Sequence, residues 1–265
     1  MDQSRNPDQN PRLWAWIAGA SQGLGLAFAE VLAARDYNLV LIARRAHQLE
    51  AVAQQLRAAH SIEVVVLVLD LASDELEQTL RGQLTQTPVH VAIYNAAMAP
   101  MGDLVREDVR NLTHAVKVNV LGPVIWARLL GARMVEQDGG QMLFMSSLAG
   151  SQGSPRLSTY AGSKAFTNIF GESIWHELKQ HNVNVLVCCA GAIRTPGYAS
   201  VSSNDAPGTL DAHQVATAAL AHLGRGPRFV PGLINKLAAV IVGRWLPRRW
   251  AVATMNSATA NLGSD

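Results

Sequence analysis

The sequence predicts an α/β protein: one domain built on a doubly wound parallel sheet, with helices on both faces. Three observations carry this. Short apolar runs recur at residues 13–18, 38–43, 64–69, 89–94, 141–145 and 183–189, separated by stretches long enough for helices. None of these runs contains Lys, Arg, Asp or Glu, as strands covered on both faces require. Finally, 265 residues that are 49% hydrophobic and 16% charged can bury one sizeable core, and no repeat or Pro/Gly/Ser-rich linker divides them.

Taken in order, the polar stretch 1–12 holds two prolines and no apolar segment of the secretory kind, and reads as a flexible tail. The first apolar run meets Gly19, then Ser21, Gln22, Gly23, Leu24 and Gly25, and passes into a helical pattern at Leu26, Ala27, Ala29, Val31 and Leu32. Strand, glycines and helix in that order let backbone N–H groups approach a pyrophosphate while the helix N-terminus adds partial positive charge. This marks 13–230 as a Rossmann-type dinucleotide-binding body. The second run ends at Ala43-Arg44-Arg45. A carboxylate there would bind ribose hydroxyls and repel a 2′-phosphate, whereas an Arg fork binds the phosphate, so NADP is favoured over NAD. The alternative is that these arginines merely begin the next helix.

The third run is followed by Asp70-Leu71 and the fourth by Asn95-Ala96-Ala97. By themselves Asp70 reads as a helix N-cap and Asn95 as a strand-end turn. Asn119 falls in a helical stretch. Ser146 and Ser147 close the fifth run, at the sheet edge where open α/β folds place their crevice. Tyr160 and Lys164 are four apart on a helical pattern and share a face. An ammonium there favours phenolate and would bring the phenol toward neutral acid–base work.

The sixth run carries adjacent Cys188 and Cys189, which point to opposite faces of a strand and cannot pair. They read as inert core thiols, consistent with a reducing cytoplasm, and no cysteine-based metal site is expected. Residues 196–208 mix Gly, Pro, Ser and Asn and read as a long surface loop. The segment 231–265 reads as a helical extension, with an apolar stretch at 233–246 broken by Asn235, Lys236 and Arg244. It is too short and charged to span a bilayer, and would cover a pocket, meet a subunit or lie on a membrane surface. The net charge of +2, without a basic cluster, argues against nucleic-acid binding.

The spacing Gly19-x-x-x-Gly23-x-Gly25, with Asn119, Ser147, Tyr160 and Lys164 following in order, resembles the short-chain dehydrogenase/reductase family. The resemblance runs from about residue 13 to 195. It selects Ser147 over Ser146 by its distance from Tyr160. It implies that Tyr160 is the catalytic acid/base, that Lys164 lowers its pKa and meets the nicotinamide ribose, that Ser147 orients the substrate, and that Asn119 holds a water beside the lysine. It assigns Asp70 and Leu71 to the adenine, Asn95, Ala96 and Ala97 to the cofactor wall, and Gly191, Ile193 and Thr195 to the nicotinamide end. The chain departs from the family pattern at Ala18 (usually Thr), Ala97 (usually Gly) and Ala190 (usually Pro).

The implied activity is NADP(H)-dependent reduction of a ketone or aldehyde, reversible to alcohol oxidation. An epimerase or dehydratase of the same fold and a non-catalytic dinucleotide sensor are the rival readings. Leu148, Tyr198 and Trp245 suggest an apolar pocket for a small carbonyl substrate. The family also implies a homodimer or homotetramer formed through the helices of Asn119 and Tyr160.

Overall fold

The computed structural model describes residues 12–200 and 204–259; the expected tail thus lies outside the described residues save for Arg12. Six parallel strands occupy the expected places: β1 (Trp14–Ala18), β2 (Asn38–Ala43), β3 (Val64–Val68), β4 (Val91–Tyr94), β5 (Gly140–Ser147) and β6 (Val183–Ala190). Two further pairings carry no apolar run. Ile193–Arg194 (β7) pairs with Leu210–Asp211 (β8), and Arg228–Phe229 (β9) adds to the edge of β6. The main sheet has the order β3-β2-β1-β4-β5-β6-β9, so the chain reverses direction across the sheet between β1 and β4. That switch point opens a crevice at the carboxyl ends of the strands.

Strand side chains alternate between two cores. Ala15, Ile17, Leu39, Leu41, Leu143 and Leu186 face one side, where α1 (Gly23–Ala33), α2 (Ala46–Ala59) and later α8 (Ala212–His222) pack. Trp16, Val40, Ile42, Met142 and Phe144 face the other, under α3 (Leu76–Leu84), α5 (Gly122–Glu136) and α6 (Ser158–Lys179). Trp126 is fully buried at the centre of the second core, edge-on to Trp16 and Tyr94 at centroid separations of 6.4 and 5.8 Å. Such a ring contributes about 3–5 kcal/mol by truncation.

Before α5 runs α4 (Val109–Val116), N-capped by Asp108, whose side chain accepts from the Arg110 N–H. Between them Lys117–Leu121 widens into one π-helical turn. The Tyr94 hydroxyl donates to the Val118 carbonyl at 2.6 Å, and a Cβ on Gly122 would lie 2.1 Å from that hydroxyl. Glycine at 122 is what lets the phenol reach the opened turn. Although 109–136 is long and apolar enough for a membrane span, much of it is buried in the second core.

The expected loop 196–208 begins with a short helix, α7 (Pro196–Ala199), N-capped by Thr195. The C-terminal extension consists of α9 (Leu233–Val240), a π-helical turn over Ile241–Trp245, and α10 (Arg248–Thr259). Its large apolar side chains do not cover the core.

Candidate active site

The glycine loop leaves β1 with Gly19 at φ +85° and enters α1 at Gly23, φ +57°. Added Cβ atoms would meet the Ala96 backbone at 2.8 Å from Gly19 and the Gly19 carbonyl at 1.9 Å from Gly25. Gly25 thus serves close packing, and only Gly19, Ser21, Gln22, Gly23 and Leu24 of the loop line the crevice. Asn95 braces the loop across the switch point, its Nδ2 donating to the Gly19 carbonyl at 3.0 Å. Unlike α4 and α8, α1 has no side-chain cap, so its first N–H groups are left for a ligand.

The crevice is a cleft of about 1430 Å³ that also takes in Arg44, Arg45, Asp70, Leu71, Asn95, Ala96, Ala97, Ser147, Tyr160, Lys164, Gly191, Ile193 and Thr195. Arg45 donates to the Ser21 hydroxyl at 3.1 Å, tying the end of β2 to the glycine loop. Arg44 lies 3.8 Å from the Asp70 carboxylate and 3.3 Å from His114 Nε2. Asp70 also accepts from the Ala72 N–H at 2.9 Å. Two guanidinium groups beside a helix N-terminus without a side-chain cap, entered through a glycine loop packed against Ala96, suit a dinucleotide.

At the other end, Ser147 closes β5 and starts a short 3₁₀ turn, Leu148–Ser151, its Oγ accepting from the Ala149 N–H at 3.2 Å. Ser146, which also lines the cleft, donates its hydroxyl to the Lys164 carbonyl at 3.0 Å. Burial raises the Tyr160 pKa, and a hydrogen bond with the Ser147 hydroxyl draws it partly back. The Lys164 ammonium lies 5.6 Å from the Tyr160 ring centroid but donates to the Met145 carbonyl at 2.8 Å. Burial pushes its pKa down to about 8.

Asn119 is buried in the π-helical turn. Its side chain is spent on protein: Oδ1 accepts from the Met98 N–H at 2.9 Å, and Nδ2 donates to the Met98 carbonyl at 2.7 Å and to Ser163 Oγ at 3.1 Å. It locks the segment following β4 to α6 rather than offering a free amide.

Gly191 and Thr195 flank β7, and the Thr195 hydroxyl accepts from the Tyr198 N–H at 3.1 Å. Tyr198 and Leu148 line the cleft as expected, whereas Trp245 does not and is 79% exposed. Sequence reading missed Met98, His114, Leu157 and Met255, which also line the cleft. It also missed Gly150, where a Cβ would lie 2.6 Å from the Lys164 backbone. Gly150, three residues beyond Ser147, carried a usable signal; His114 meets Asp70 only through packing across the fold.

The cleft at the switch point, with a serine, a tyrosine and a lysine at one end, has the layout of a doubly wound dinucleotide-binding fold. The chain belongs to the short-chain dehydrogenase family, whose pattern matches residues 13–206. It is 35% identical over 178 residues to a very-long-chain 3-oxoacyl-CoA reductase of Podospora anserina, covering 65% of this chain and 52% of that one. The bovine protein of the same name is 29% identical over 176 residues, covering 65% and 56%. The chain thus spans about half the length of the curated relatives it matches. Among solved structures, a short-chain dehydrogenase from Sphingobium yanoikuyae in complex with NADPH superposes with a TM-score of 0.78 at 25% identity, covering 94% of each chain. A 7β-hydroxysteroid dehydrogenase gives 0.86 at 23% identity, covering 92% of this chain and 96% of that one.

Proposed function

We propose that this protein is an NADP(H)-dependent reductase of ketones or aldehydes, reversible to alcohol oxidation, with Tyr160 as general acid/base. The observation that carries it is the meeting of Ser147, Tyr160 and Lys164 in the same cleft as Arg44 and Arg45. The ends of β2 and β5 are three strand spacings apart, roughly 14 Å, a span suited to a dinucleotide laid across the switch point. Arg45, anchored on Ser21, and Arg44, held by a long and exposed ion pair to Asp70 and a contact with His114, are the groups for a 2′-phosphate. Relatives named 3-oxoacyl-CoA reductases and a neighbour holding NADPH support both halves of the reading.

When bound, the nicotinamide supplies or accepts the hydride. Ser147 holds the substrate oxygen, and the Tyr160 hydroxyl gives its proton to that oxygen as charge develops there. Lys164, still a cation at neutral pH, stabilises the phenolate left behind and, by the family's pattern, reaches the ribose. Asn119 is the positioning residue that keeps α6 registered against the cleft, and by the family's pattern it would also sustain the proton path. Met98, Leu148, Leu157 and Met255 give the cleft an apolar lining that suits an apolar carbonyl substrate. Exposed Val109, Val116, Leu121 and Ile169 on α4, its π turn and α6 form the face through which a homodimer or homotetramer would assemble.

The test is loss of NADPH absorbance with a panel of ketones, aldehydes and 3-oxoacyl thioesters. Tyr160→Phe is expected to lower kcat by about 10²–10⁴-fold while NADPH affinity stays within a few-fold. Full turnover in that variant would refute the assignment.

A further inference from the structure

The helix α9 and the turn after it are built inside out. Their inward face consists of Asn235, Ala238, Ala239 and Val242, with Asn235 buried and its Nδ2 donating to the Gly208 and Pro231 carbonyls at 3.0 and 3.1 Å. The outward face carries Leu233, Ile234, Leu237, Val240, Ile241 and Trp245, each more than half exposed, and Trp250 on α10 is 57% exposed. Helical spacing places the first six in one stripe. A helix that hides an asparagine and shows water its leucines and isoleucines is shaped for an apolar environment beyond the protein.

Charge identifies that environment. Between Ala212 and Ser264 the chain has six Lys and Arg residues and no Asp or Glu. Of these, Arg228 is paired with Glu172 at 2.8 Å. Lys236, Arg248 and Arg249 are exposed on the two helices that carry the apolar stripe. Two copies meeting through this face would bring like charges together with no acidic partner from the same segment. The 1–11 stretch offers only Met1 and two prolines to cover it.

We propose that α9, its π-helical turn and α10 form an interfacial docking surface for an anionic lipid bilayer, the apolar stripe entering the acyl boundary and the cations meeting headgroups. Tryptophan and arginine side by side, as where the Arg249 guanidinium lies 5.8 Å from the Trp250 ring centroid, suit that boundary. The same helices touch the catalytic loop: Arg248 donates to the Ser151 carbonyl at 2.8 Å, and Met255 lines the cleft. Docking would bring the cleft to the lipid surface, where an apolar substrate is concentrated. The docking itself does not depend on the reaction proposed above.

The test is sedimentation of the full chain with vesicles of phosphatidylcholine alone or mixed with phosphatidylglycerol. The expected result is binding at least tenfold tighter to the anionic vesicles, weakened by salt, with a blue shift of tryptophan emission that Trp245→Phe diminishes. Leu237→Gln/Ile241→Gln is expected to abolish binding while NADPH affinity, reporting an intact fold, is unchanged. Native protein that stays in the supernatant with anionic vesicles would overturn the proposal. So would a double variant that binds as the native chain does, or native dimers that this variant splits into monomers.

Discussion

Burying an ammonium away from a carboxylate is costly, and Lys164 shows how the site bears that cost. Its ammonium donates to the Met145 carbonyl, and burial lowers its pKa from 10.5 to about 8. The folded protein therefore releases this proton before the unfolded chain does. Between about pH 8 and 10.5 the unfolded state binds more protons, so this group makes unfolding free energy rise with pH. Lys164→Met is expected to remove that rise, visible when urea denaturation of both proteins is compared across this window, and to lose turnover while folding normally at pH 7. At the other end of the cleft, Arg45→Ala is expected to weaken NADPH roughly 10–100-fold, as loss of a charge-assisted hydrogen bond predicts, and NADH by less than threefold. Equal losses for both cofactors in a binding titration would move the 2′-phosphate away from Arg45.

Among the elements, the π-helical turn at Lys117–Leu121 carries Asn119 and depends on a contact made from the opposite side of the core. Tyr94 remains a hydrogen-bond donor because burial raises its pKa further still, and Gly122 leaves room for its hydroxyl. Gly122→Ala is expected to cost about 1–3 kcal/mol by overpacking. In a double-mutant cycle with Tyr94→Phe the costs should be clearly less than additive, because the phenol that clashes is gone; additive costs in thermal unfolding would show that the two do not meet. Nothing in Lys117-Val118-Asn119-Val120 distinguishes this turn from ordinary helix. The six long strands, by contrast, were legible because burial on both faces demands uninterrupted apolar runs. β9 was not, since two residues, one of them Arg228, make no run. The Tyr160–Lys164 pair and the glycine loop were legible because their chemistry needs fixed local spacing. The Arg44–Asp70–His114 cluster joins residues brought together only by packing. In 233–246 composition revealed an apolar stretch but not the side it faces, which the buried Asn235 decides.

For the molecule as a whole, the cleft joins elements from nearly the full chain, from Gly19 to Met255, so a ligand bound there should stabilise the entire cooperative unit. NADPH at one hundred times its dissociation constant is expected to add about 2.7 kcal/mol, or roughly 5–10 °C in Tm for a chain of this size. Arg45→Ala should lose about half or more of that shift at the same NADPH concentration, and an unchanged shift would contradict the cofactor assignment.

One small clasp governs how this scaffold could be redesigned. Asn235 reaches two backbone stretches at once: a Cβ at Gly191 or Gly208 would lie 2.6 Å from its Oδ1, and its Nδ2 holds the Gly208 carbonyl. The segment from 196 to 207 is thus bounded by Thr195, which caps α7, and by a glycine seated against Asn235. It behaves as a cassette with fixed ends. Libraries that vary its sequence and length to recruit new substrates should keep Thr195, Gly191, Gly208 and Asn235 constant, because a side chain at either glycine would dislodge the helix that secures the far end.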